Sequence, residues 1–191
     1  MRVMRRSRGT TLIELMVASA ISLVVMTAAL ALLWLLLRKV FWVEESSDRQ
    51  LQALSALEGI RRDVLRGAAE GVSVDAAGPC LSLAQQDPVA SNQRLWLTNP
   101  IVYGNESGGG LIRCEKHSSG PPGDSPPFPN AAAMQQILTA PDWGRREFGT
   151  VRLSEVKFID GKVVIGLQSP IRDMSGELKP QTLTATLAFR L

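Results

Sequence analysis

The sequence predicts an α+β chain in which a long amino-terminal helix packs on an antiparallel β-sheet. Three observations carry that prediction. From Leu15 to Leu37 there is no Asp, Glu, Lys, Arg, Asn, Gln, Pro or Gly, which makes a run longer than the roughly 20 residues a helix needs to cross a bilayer. A second segment, LQALSALEGIRRDVLRGA, repeats apolar residues every three or four positions. Beyond Gly71 the pattern changes to short β-rich runs bounded by Pro, Asn and Gly.

The first segment reads as a single membrane span. Arg2, Arg5, Arg6 and Arg8 precede it with no acidic residue among them, while Arg38 and Lys39 follow it. That excess places the amino terminus in the cytoplasm and the remainder on the far side of the membrane. Trp34, Phe41 and Trp42 fall near the far interface, where aromatic rings are favoured. A cleaved secretory signal would use the small residues Ala18-Ser19-Ala20, but the apolar run continues long past that point. One carboxylate, Glu14, stands at the head of the run. A charge within the hydrocarbon layer costs roughly 2.5–3.5 kcal/mol on insertion scales, which marks it as a functional-site hypothesis. Thr11-Leu12-Ile13-Glu14 also fits a capping box, in which the hydroxyl and the carboxylate satisfy backbone N–H groups at a helix start.

In the second segment Leu51, Leu54, Leu57, Ile60, Val64 and Leu65 form the expected buried stripe, and Glu58, Arg61, Arg62, Asp63 and Arg66 the charged face. The expected division is a span over 10–43, an amphipathic half of the helix over 44–70 and a globular β-rich domain over 71–191. Two helices broken around 44–48 are the alternative. Strands are expected at CLSLA (80–84), RLWLT (94–98), IVY (101–103) and LIRC (111–114), with a short helix at AAAMQQIL. Segment 118–130 is proline-rich and reads as an exposed loop. Asp160-Gly161 between two β-rich runs predicts a hairpin with a type I′ turn. QTLTATLAFRL alternates as a half-buried strand does.

The net charge of +3 gives little support to a nucleic-acid surface, because removing the four leading arginines turns it to −1. Cys80 and Cys114 allow one intramolecular pairing, and a structural disulfide is expected in an oxidising compartment, with free thiols as the alternative. No metal site is expected, since His117 is the only histidine and stands in a loop. Asp160 with Glu177, or Asp173 with Glu177, lacks the D-x-D-x-D-G pattern of a calcium loop. ESGGGL lacks the lysine and spacing of a phosphate loop, and no G-x-S-x-G elbow is present. Asn105-Glu106-Ser107 fits a glycosylation sequon, a pattern common by chance. No catalytic constellation and no cofactor are expected.

RGTTLIELMVASAISLVV resembles the prepilin signature of type IV pilins and type II secretion pseudopilins: a basic leader ending in Gly, then a T-L-I-E-L-like opening of a long apolar helix. The resemblance implies a pilin-like fold and a leader over 1–9, cut by prepilin peptidase between Gly9 and Thr10. It implies N-methylation of the new amino terminus at Thr10, where the family usually has Phe. It further implies that Glu14 pairs with the terminal amine of a neighbouring subunit during assembly. The segment LQALSALEGIRRDVLRGAAEGV is also similar to the region after the helix in PilW-like minor pilins and in a minor pseudopilin. The implied partners are other pilin or pseudopilin subunits, prepilin peptidase, an inner-membrane assembly platform, and the inner membrane before assembly. The leading expectation is a minor pilin that initiates or decorates a type IV filament. A minor pseudopilin of type II secretion is the first alternative. A DNA-uptake or adhesion subunit, using the loop 116–130, is the second, and nothing in the bulk charge supports DNA.

Overall fold

A computed structural model describes residues 11–75, 78–87, 95–106, 109–117, 120–172 and 177–189. The order of elements is α1 (Leu12–Arg66), β1 (Gly67–Asp75), β2 (Cys80–Gln85), β3 (Ile101–Asn105), β4 (Leu111–Glu115), α2 (Ala131–Thr139), β5 (Gly144–Glu147), β6 (Arg152–Ile159), β7 (Lys162–Arg172) and β8 (Leu178–Ala188). Two compact units divide the chain after Glu44. In the first unit every residue from Thr11 to Phe41 is exposed, as expected of a helix that is apolar all round. One helix, α1, is long and apolar enough to cross a membrane.

The second unit holds two antiparallel sheets, one of five strands in the order β1-β2-β3-β4-β5 and one of three in the order β6-β7-β8. Its part of α1 meets both. Ala53, Ala56, Ile60 and Val64 share one core with Leu81, Leu83, Ile101, Tyr103 and Leu111 of the larger sheet, and with Leu153, Val156, Val163, Ile165 and Leu167 of the smaller. On its other face the larger sheet carries α2, through Met134 and Leu138 against Val102 and Ile112. Helix cover on both faces explains why β2 is buried from Cys80 to Ala84 without alternation.

The α+β arrangement follows the expectation, and several details depart from it. The helix stops at Arg66 and β1 begins at once, so Gly67 to Glu70, expected to be helical, form strand. The expected stripe holds in part: Ile60 and Val64 are buried and Leu57 packs against the core. Ala53 and Ala56 are buried among the core residues of both sheets, and the bulkier Leu51, Leu54 and Leu65 turn outward, 60%, 53% and 46% exposed. RLWLT forms no strand over its described residues. Trp96 instead makes isolated bridges to Gln86 and Gly123, and its ring is buried over Gly71, where an added Cβ would lie 2.6 Å from it.

The hairpin turn is as expected: Asp160 and Gly161 take φ of +50° and +71°, the two positive values a type I′ turn requires. AAAMQQIL is helical within α2, and Asn130 caps it by accepting the Ala133 N–H at 2.8 Å. From Gly120 to Asn130 the proline-rich loop contains no helix or strand beyond the bridge at Gly123. The Asn105 side chain helps tie the sheets together. Asn105, at the end of β3, donates to the Leu153 carbonyl and accepts the Leu153 N–H, both at 2.7 Å. That use of the amide also occupies the sequon asparagine.

Candidate functional site

The first unit begins with the capping box. The Thr11 N–H donates to Glu14 Oε2 at 2.9 Å, and the Glu14 N–H donates to Thr11 Oγ1 at 3.3 Å. The Leu15 N–H reaches the Thr11 carbonyl at 3.2 Å and closes the first helical turn. A helix start leaves N–H groups without acceptors, and in lipid no water replaces them. The reciprocal pair satisfies two of them and sets a negative charge at the positive end of the helix dipole. A carboxylate offers about four acceptor positions, so this box leaves Oε1 able to take a further donor. Gly9 and Thr10 lie outside the described residues.

Along the apolar run, hydroxyls are turned back onto the helix: Ser19 Oγ donates to the Met16 carbonyl and Thr27 Oγ1 to the Val24 carbonyl, each at 2.9 Å. At the far end the Arg38 guanidinium lies over the rings of Trp34 and Trp42, 5.6 and 4.6 Å from their centroids. The first cation after the run is thus held by the two tryptophans expected at the interface.

In the second unit the second carboxylate of note on α1 is Asp63. The sequence put it on the charged face, yet it is only 3% exposed. Its Oδ2 accepts the Tyr103 hydroxyl at 2.6 Å and the Arg113 Nε–H at 2.7 Å, and Arg113 also pairs with Glu115. Burial, and then the Asp63 charge, push the Tyr103 hydroxyl well above its usual range, so it stays protonated as a donor. Burial works against the Arg113 cation, but its hydrogen bonds to Asp63 and Glu115 prevail and keep it charged. The cluster locks α1 to β3 and β4. A signal for it was present in the phase of the helix: Asp63 falls beside Ala56 at the edge of the buried arc.

The expected disulfide is absent, because Cys80 and Cys114 are both free and buried. They lie on β2 and β4, which flank β3 on opposite sides. Two strand spacings put them about 9.5 Å apart, beyond the roughly 7 Å over which a disulfide can close. Both join the small core under α2. Burial, and then Asp75, push the Cys80 thiol up to about 11, and burial raises Cys114 as well. His117 is exposed in its loop. Among the described residues no three of His, Cys, Asp and Glu gather as a metal site would.

No curated protein and no solved structure matches the chain. A family model does: residues 4–30 match the prokaryotic N-terminal methylation motif. The match covers most of the basic leader, the capping box with Glu14 and the apolar run as far as Leu30. The match supports a pilin-like or pseudopilin substrate of prepilin peptidase, and it fits a protein held in the inner membrane before assembly. The amino-terminal segment of this chain therefore carries the signature of type IV prepilins.

Proposed function

We propose that this chain is a minor pilin: a low-abundance subunit, cut between Gly9 and Thr10, that initiates or decorates a type IV filament through its amino-terminal helix. The observation that carries the reading is the prepilin motif over residues 4–30, with Glu14 placed at the first helical turn. Its similarity to PilW-like subunits after the helix favours the minor class.

The mechanism rests on one carboxylate. Before assembly, Glu14 is stabilised by its own helix through the Thr11 N–H. Cleavage would create an ammonium at Thr10, and an amine and a carboxylate in lipid each become tolerable with a charged partner. Glu14 Oε1 would accept that amine from a neighbouring subunit while Oε2 keeps its backbone bond. Lipid removes the apolar driving force between helices, so packing and one such polar pair would set the docking position. The subunit is structural, and no residue in it is assigned a catalytic role.

The test is mass spectrometry of sheared surface filaments. An amino-terminal peptide beginning at Thr10, with or without a methyl group, supports the minor pilin. A processed protein confined to membranes assigns it to a secretion pseudopilus or an initiation complex, and an uncut Met1 terminus overturns the reading. Glu14→Ala is expected to be cut normally and to be lost from filaments. Incorporation at the parent level would leave Glu14 as a helix cap alone.

A further inference from the structure

One buried hydroxyl in the second unit has no use within the fold. Ser169, on β7, is 4% exposed, and among the described residues its Oγ has no hydrogen-bond partner. Buried polar groups left unpaired are costly and therefore rare in folded domains. Ser169 follows Ile165 and Leu167 in the alternation of β7, so it stands on the face toward α1.

That face opens into a groove of about 190 Å³ between α1 and the smaller sheet. Ala53, Leu167 and Ser169, all buried, form its floor. Leu54 and Leu183 stand at its rim, 53% and 36% exposed, with Gln50 and Gln181 exposed beside them. Arg49 donates to the Pro170 carbonyl and ties α1 to β7 close by. β8 borders the groove, and no described strand pairs with the outer side of β8. Gln181 to Ala188 has no charge and no proline to keep another chain from that side.

The walls select the occupant. No charged side chain lines the groove, so an ammonium or carboxylate entering it would lose water without gaining a partner. An aliphatic side chain or a phenylalanine would cover the floor and leave Ser169 unpaired. An apolar body ending in one hydroxyl satisfies both, and the side chain with that form is tyrosine. A cavity of about 150 Å³ holds benzene, so the groove has room for one ring. The free side of β8 offers backbone N–H and C=O groups next to it, which favours a ring presented by a polypeptide over a free phenol. The chain does not supply that ring itself: its single tyrosine, Tyr103, is fully buried and donates to Asp63. A second copy has the same limitation, so the partner is a different chain.

We propose that this groove anchors a tyrosine of a different protein chain, whose ring lies on Ala53 and Leu167 and whose hydroxyl pairs with Ser169 Oγ, while its flanking backbone runs along β8. The site lies within the second unit and asks nothing of leader cleavage or of Glu14, so failure of either reading leaves the other standing.

The test uses the full chain in its native membranes, with Gln181 replaced by the photocrosslinker p-benzoylphenylalanine. Irradiation is expected to link the chain to a different polypeptide, at a segment that mass spectrometry shows to contain a tyrosine. Ser169→Ala should lower that linking at least about fivefold, the size of one lost hydrogen bond. Changing the linked tyrosine to phenylalanine should do the same, and the two changes together should cost no more than either alone. No link, a link to a second copy, a linked segment without tyrosine, or losses that add would each overturn the proposal. The melting temperature of the Ser169→Ala chain is a second check that needs no partner. Removing an unpaired hydroxyl should leave it level or raise it. A fall of more than about 3 °C would show that Ser169 is already satisfied within the chain, and would overturn the proposal as well.

Discussion

Glu14 and Asp63 are both acidic residues of α1, and the helix treats them in opposite ways. Glu14 is exposed and bonds to its own backbone three residues away, at Thr11. Asp63 is buried and bonds across the fold, to Tyr103 and Arg113, residues 40 and 50 positions further along the chain. The local bond leaves an acceptor for something outside the molecule. The distant bonds consume their carboxylate within it. A charged residue on a long helix is thus neither functional nor structural by type; the distance to its partners decides. Asp63 belongs to the stability of one domain, and Glu14, in the proposed function, to encounters between chains.

The largest expected effect breaks the inner partnership. Asp63→Ala leaves Arg113 and the Tyr103 hydroxyl buried without their shared acceptor, a loss of about 3–5 kcal/mol for a broken buried pair. For a domain of this size that lowers the melting temperature by on the order of 10 °C. Leader cleavage should be unaffected, and a shift below about 2 °C would show the cluster to be dispensable.

A smaller effect appears with alkali. The unfolded Cys80 thiol ionises near 9.0 and the folded one at about 11. Between those values the unfolded state binds fewer protons, so stability is unaffected below pH 9 and falls as the pH rises to 11. Tyr103, raised in the same sense, adds to the fall. Denaturant midpoints at pH 8, 9.5 and 11 should decline in that order. A flat series would contradict the buried environments of both groups.

The smallest effect concerns the capping box. Thr11→Ala removes one of its two bonds, worth about 1 kcal/mol at the helix start. It should speed hydrogen exchange over the first turn while leaving domain melting and filament incorporation unchanged. Loss of incorporation in Thr11→Ala would mean that the box itself, not only the carboxylate, is read by the neighbouring subunit.

The features legible in the sequence are those set by short-range chemistry. The Thr11–Glu14 box, the apolar run, the short helix at AAAMQQIL and the Asp160-Gly161 turn each depend on residues within a few positions of one another. What was not legible depended on distant partners. Asp63 looked like a solvated charge because nothing near it announces Tyr103 or Arg113. Cys80 and Cys114 looked like a pair until the strand order placed β3 between them. Trp96 looked like the centre of a strand, but it lies over Gly71, where only a residue without a side chain admits the ring. The leucine stripe misled for a related reason. Size alone does not mark the core side of a helix, and here Ala53 and Ala56 lie inward while Leu51 and Leu54 lie outward.

That alanine face has a consequence for how the helix tolerates change. Ala56, fully buried in the shared core, is closed to enlargement. Leu51 and Leu54, more than half exposed, are open to reduction without leaving a cavity. Selection for folding alone would let these leucines drift toward polar residues while holding Ala56 still. Any constraint that keeps Leu51 and Leu54 large must come from another surface, so their rate of drift in nature is itself a record of what this helix meets outside its own chain.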